Sequence, residues 1–367
     1  MAFSRQRLCT LPSFFLLLTL PALGDHDDHP LIQDFNHIKT LGSTVPSNGD
    51  QNPYGIAVVP VTTGNLVRDH ILISNFNNVA NLQGTGTTID QISPKGDVTV
   101  FATIDAAHLP GKCPGGIGLT TALVALNSGF VIVGSLPTLD GTAATAQAGC
   151  LIVLDSEGHP VLTLAGKGIK GPWDMTALDL GYAAVLFVTN VLNGTVDANG
   201  SVVNHGTVLR IVLLTPANGT PREVASNVIA SGFEERTDPA ALVIGPTGLG
   251  LAPNGRLFVA DTLRNRIAVI PNALFRTDDA GDGATVSQGG ALNGPLGLAL
   301  APNGDIIIVN SNDGNMVETT PAGEQVAVKA VDVSNQGAGT LFGLAIAPGG
   351  DSIYFVDDGN NTLNVLH

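Results

Sequence analysis

The chain has 367 residues, of which 44% are apolar and only 13% charged, with 45 Gly and 22 Pro. That is enough for a large buried core and too little charge for a disordered chain. Acidic residues outnumber Lys plus Arg by 31 to 16, and the formal charge of −15 excludes nucleic acid or an anionic membrane as the main partner.

Residues 1–24 read as a secretory signal peptide. Arg5 and Arg7 give the positive start, Phe14-Phe15-Leu16-Leu17-Leu18 the apolar run, and Ala22-Leu23-Gly24 the small residues of a cleavage site. An uncleaved anchor is the alternative, against which Pro12 and Pro21 bracket a very short core. No later run is long enough to span a bilayer, so the mature chain is expected to be secreted, extracellular or periplasmic, with no transmembrane segment. Residues 25–34 read as a flexible acidic tail. Its Asp25-His26-Asp27-Asp28-His29 start offers at most weak transition-metal ligands. Cys9 leaves with the signal, and Cys113 and Cys150 remain as one candidate disulfide worth about 3–4 kcal/mol. Two buried free thiols are the alternative, because sequence gives no distance between them.

Residues 35–367 are organised by a repeat. Six segments share one pattern: Pro53-Tyr54-Gly55-Ile56-Ala57, Gly116-Ile117-Gly118-Leu119-Thr120, Pro172-Trp173-Asp174-Met175-Thr176, Pro246-Thr247-Gly248-Leu249-Gly250, Pro295-Leu296-Gly297-Leu298-Ala299 and Leu341-Phe342-Gly343-Leu344-Ala345. Each precedes a turn and a second apolar run, such as Leu257-Phe258-Val259 or Ile306-Ile307-Ile308-Val309. These runs are short and β-branched or aromatic, which suits strands buried between stacked sheets. The expectation is an all-β fold, a six-bladed β-propeller of four-stranded antiparallel blades. The last unit stops at its third strand, so Phe35–Leu41 is expected to pair with Leu363–Leu366 and close the ring without a free edge. Two excursions, Leu192–Gly206 and Thr215–Leu242 with Phe233-Glu234-Glu235-Arg236, read as long loops on the rigid frame.

Gly245-Pro246-Thr247-Gly248-Leu249-Gly250-Leu251, followed by Gly255-Arg256-Leu257-Phe258-Val259-Ala260-Asp261 and Asn265-Arg266-Ile267, resembles the NHL-repeat six-bladed propellers. The fourth unit matches nearly throughout, the fifth and sixth match well, and the first three match in part. The resemblance implies the fold and no particular chemistry, since that family holds binding scaffolds as well as enzymes.

Loops entering the first strands and loops between second and third strands should share one face. Cys113 and Cys150 then fall on that face of one blade. The same face gathers Asn75, Ser135, Asn190, Asp261, Asn310 and Asp357 at the ends of the second strands. Such a ring of oxygens has two readings: a site for a hard cation such as calcium, or caps of the turn backbone. Asp174 breaks the symmetry, standing where the other five units carry Gly, next to the only Trp, Trp173. A carboxylate near the axis needs a cation or several hydrogen bonds. Pro172-Trp173-Asp174-Met175 is similar to the Pro-Asp-Gly-Met segment of the gluconolactonase and senescence-marker propellers. That resemblance implies a calcium ligand at Asp174, although the Asp is shifted by one place and no Glu stands near Tyr54.

The leading expectation is a non-catalytic propeller that binds a protein or small ligand through its loop-rich face, with Tyr54, Trp173, Asn310, Phe342 and Asp357 as candidate contacts. The alternative is a divalent-metal-dependent lactonase-type hydrolase at the central channel, with Asp174, Asn75, Asn190 and Asp261 as candidate ligands. A structural cell-envelope protein is a third reading. No HExxH spacing, G-x-S-x-G elbow or complete EF-hand loop is present, since in the loop that Asp278–Gly283 would open Ala280 replaces a ligand and position twelve is Gly289, not Glu.

Overall fold

The computed structural model describes residues 29–216, 219–333 and 339–367; residues 1–24, read above as a signal peptide, and Asp25–Asp28 lie outside them. A helical turn, α1 (Leu31–Asp34), leads into β1 (Ile38–Ser43). The first blade is β2 (Gln51–Val58), β3 (Ile71–Asn77), β4 (Thr88–Ile92) and β5 (Val98–Thr103). The second is β6 (Leu119–Ala125), β7 (Val131–Ser135), β8 (Cys150–Leu154) and β9 (Pro160–Leu164). The third holds β10 (Gly171–Asp179), β11 (Ala183–Val191), a turn α2 (Thr195–Ala198), β12 (Val203–Leu214), β13 (Arg222–Asp238) and a short fifth strand, β14 (Leu242–Ile244). The fourth is β15 (Pro246–Leu251), β16 (Leu257–Asp261), β17 (Arg266–Ile270) and β18 (Ala284–Gln288). The fifth is β19 (Pro295–Leu300), β20 (Ile306–Asn310), β21 (Asn315–Thr319) and β22 (Gln325–Ala330). The sixth joins β23 (Leu341–Ile346), β24 (Ile353–Asp357) and β25 (Thr362–Leu366) to β1.

Every strand pair is antiparallel, and the inner strands β2, β6, β10, β15, β19 and β23 touch in sequence around a closed circle. The molecule is a six-bladed β-propeller. Apolar second and third strands, buried on both faces, form the layers between blades.

Each inner strand slips register against its second strand near the repeat's third position, at Pro53/Gly55, Leu119/Leu123, Pro172/Asp174, Pro246/Leu249, Pro295/Leu298 and Leu341/Leu344. A bulge there turns the strand toward the axis, where backbones crowd. A Cβ on Gly297 would collide with the carbonyl oxygen of Phe342, which is why glycine recurs. Pro246 and Pro295 open β15 and β19, a position that needs no ladder N–H.

Ring closure occurs as expected, but β1 begins at Ile38 rather than Phe35: Ile38 faces Leu366 and Ser43 faces Thr362. Phe35 is buried with Ile32 between the fifth and sixth blades. Residues 31–34 therefore do not belong to a flexible tail, because the buried Glu318 carboxylate accepts the N–H groups of Leu31 and Ile32, each at 2.8 Å. The Thr215–Leu242 excursion is likewise mostly strand, the 17-residue β13. Phe233, Glu235 and Thr237 alternate inward there, and four register shifts against β12 hide the period.

Candidate functional site

The central channel is divided by a plug. Tyr54 stacks on Phe342 at 3.7 Å and on Phe76 at 4.5 Å, while Trp173 meets Tyr54 edge-on at 6.0 Å. All four are buried, and burial together with the charge of Asp358 pushes the Tyr54 phenol well above its usual value. Three of the candidate ligand contacts, Tyr54, Trp173 and Phe342, are thus brought together as packing at the axis.

On one side of the plug lies a cavity of about 370 Å³, walled by inner-strand residues such as Ile56, Leu123, Leu249, Leu298 and Leu344. Asp174 opens into it, with Thr121, Thr176 and Asp179 as polar neighbours, the last accepting from the Asn127 side-chain amide at 2.9 Å. The Asp174 carboxylate accepts the Met175 N–H at 2.7 Å, and its backbone is pinned by Thr189 Oγ1, which accepts the Asp174 N–H at 3.0 Å. Desolvation pushes this carboxyl up to about 7, only partly opposed by the Met175 bond. A group poised there can take and return a proton near neutral pH.

On the other side lies a recess of about 560 Å³ on the loop-bearing face, reached by Trp173 and Phe342 from below. Arg236 and Asp238, paired at 2.8 Å, face Asn265, Asn293, Ser311 and Asn312 across it. Sequence reasoning named Arg236 only within an excursion and missed the three Asn, which come from three different loops.

The second-strand residues behave as turn caps. Asn190 Oδ1 accepts the N–H groups of Lys170 and Gly171 at 2.7 and 3.1 Å. Asn310 Oδ1 accepts the Asn293 N–H at 3.1 Å and its amide donates to the Ala291 carbonyl at 2.8 Å. Ser135 Oγ accepts the Gly118 N–H at 3.0 Å, and Asp357 accepts from Asn360 at 2.8 Å. Asp261 is fully buried against Arg266 at 2.8 Å. Asn75 donates to Thr44 O and Asp90. None of Asn75, Asn190 and Asp261 lines the cavity that Asp174 faces. The four candidate metal ligands are not gathered, and Asp174 alone, with one carboxylate, does not fit a resident metal. Asn310 and Asp357 are likewise absent from the recess.

Among the described residues, Asp155, Glu157 and His159 place ligand atoms within 4.8 Å of one another on the exposed β8–β9 turn. The Asp155 carboxylate there already accepts the Glu157 and His159 N–H groups. Cys113 and Cys150 are bonded, with Cα atoms 5.3 Å apart, as expected for one face of the second blade. The buried disulfide suits an oxidising compartment, and no helix among the described residues is long and apolar enough to cross a membrane.

Fold and channel together define a six-bladed propeller with a blocked axis and two unlike cavities. No protein-family model matches the chain, and no curated protein sequence matches it. Solved structures do. A structural-genomics target assigned as a gluconolactonase is 15% identical with a TM-score of 0.57, covering 93% of this chain and 96% of that one. A gluconolactonase from Xanthomonas campestris is 13% identical with a TM-score of 0.52, over 90% and 88%. Regucalcin from Agrobacterium tumefaciens, a calcium-binding protein, is 12% identical with a TM-score of 0.52, over 89% and 93%. These likenesses establish the propeller and relate it in shape to the gluconolactonase–regucalcin type; the NHL resemblance remains a reading of the repeat.

Proposed function

We propose that the protein is a hydrolase of the lactonase type, working in the central channel with Asp174 as its proton-transfer group. The observation that carries this reading is the Asp174 carboxyl, raised to about 7 and opening into a cavity of about 370 Å³ that Asp179 also lines. The gluconolactonases among its structural neighbours support it over the non-catalytic reading. In this scheme Asp174 takes a proton from water as the oxygen bonds to the lactone carbonyl carbon. The ring C–O bond then breaks, and Asp174 returns the proton to the leaving alkoxide, giving a hydroxy acid. No step passes through a metal.

A panel of lactones and simple esters followed by acid release tests it. Wild type should turn over at least one, with a rate limb near pH 7, unaffected by EDTA. Asp174→Asn should lower kcat by about a hundredfold or more. Absence of turnover across the panel, or full activity in the variant, overturns the reading.

The loop-face recess favours a second reading, non-catalytic binding of a small polar ligand by Arg236 and the surrounding Asn side chains. Under it, Arg236→Ala abolishes ligand-induced thermal stabilisation while Asp174→Asn leaves it intact.

A further inference from the structure

Away from the channel, at the seam where the ring closes, the chain buries two carboxylates without a base. Asp90 and Asn75 project from one face of the first blade, since Asp90 pairs with Ile73 and Asn75 follows two residues later on β3. Asn75 Nδ2 donates to Asp90 Oδ2 at 2.9 Å and to the carbonyl of Thr44 at 3.0 Å. Thr44 directly follows β1, the closing strand, and its own N–H is held by the Asn361 carbonyl of the sixth blade at 2.9 Å. Asp50, at the end of the same linker, accepts from Thr87 and Thr88.

Three oxygens in this contact set have no donor: Asn75 Oδ1, Asp90 Oδ1 and Thr44 Oγ1, on side chains with 0% exposure. Turning the Asn75 amide over does not help, because both groups that its nitrogen meets are acceptors. Where the fourth blade buries Asp261 it supplies Arg266, but among the described residues no Lys, Arg or His pairs with Asp90 or Asp50. Asp50 and Asp90 thus bury negative charge that no basic side chain among the described residues offsets. All the orphaned atoms are hard oxygen donors.

We propose that Asp90, Asn75 and Thr44 bind one hard divalent cation of the calcium class, with Asp50 adding negative charge beside it, and that this ion clamps the closing strand to the first blade. The proposal is independent of the hydrolase reading and uses none of the residues facing the channel.

The test titrates the full chain, stripped with EDTA, with calcium alone, by calorimetry and by thermal unfolding. One ion per chain should bind and raise the Tm. Asp90→Asn should weaken binding about a hundredfold, and Thr44→Val about tenfold, while Asp155→Asn and Asp174→Asn leave it unchanged. Thr44→Val replaces an unpaired buried hydroxyl by a methyl group, so its fold in EDTA should be intact even if Asp90→Asn fails to fold. Three outcomes overturn the proposal: no calcium heat in wild type, binding unaffected by Thr44→Val, or binding lost only in Asp155→Asn. A Tm that rises as pH falls from 8 to 6 and ignores calcium also overturns it, assigning the space to the proton of Asp90.

Discussion

Asp261 and Asp174 are both carboxylates withdrawn from water, and the protein treats them differently. Asp261 is fully buried, its carboxyl raised by desolvation, and it is compensated by the nearly buried Arg266 guanidinium at 2.8 Å. Removing only the cation leaves a charge with nowhere to go, so Arg266→Met should cost about 3–5 kcal/mol in urea unfolding. Adding Asp261→Asn should restore part of that loss; simple additivity of the two single costs would show that they do not act as a pair. Asp174 has no such partner. Its folded value near 7 stands above the ordinary 3.8. Below about pH 4 both states keep the proton; between about 4 and 7 the unfolded chain ionises first, so stability falls as pH rises through that window. Asp174→Asn should therefore raise the Tm by about 2–4 °C at pH 8 and change nothing at pH 4, as read by calorimetry across pH. A residue that costs stability at working pH is the kind retained for activity.

At the scale of elements, the closing strand carries the most consequence for its length. β1 supplies the outer edge of the sixth blade and leads into the Thr44 to Asp50 linker that the first blade grips. A chain beginning at Val45 would leave β25 with a free row of N–H and C=O groups. It should unfold at a markedly lower temperature and self-associate in size-exclusion chromatography; a monomer with wild-type Tm would contradict this. How far such elements were legible follows from how local their causes are. The glycine of five of the six repeats is visible in sequence because the crowding that demands it recurs at the same place in those units. The start of β1 is not legible in sequence because α1 is set by Glu318, 287 residues from Leu31. β13 reads as loop in sequence because bulges interrupt its alternation. Asp90 is marked in sequence only by its place between Ile89 and Ile92, and that all five residues of β4 are buried is set by the neighbouring blades. The recess was invisible because Asn265, Asn293 and Asn312 converge only once the blades are stacked.

For the whole molecule, stability depends on neighbouring blades covering one another, and the Cys113–Cys150 bond acts on that scale. It joins the loop entering the second blade to that blade's third strand, closing a separation of 37 residues. Both cysteines sit in the apolar layer between the first two blades, with Cys150 fully buried beside Leu119 and Val133. In the chain-entropy picture a loop of that size withholds about 4 kcal/mol of freedom from the unfolded ensemble. The double variant Cys113→Ala, Cys150→Ala loses this constraint and some packed volume as well. It should unfold at lower urea concentration, by about 2–5 kcal/mol of stability, with the native far-ultraviolet dichroism kept because every blade retains its strands. Wild type under strong reductant should follow the same curve to within the packing difference. If reduction leaves the wild-type midpoint where it was, the bond does not stabilise the ring, and the second blade is held by its apolar layer alone.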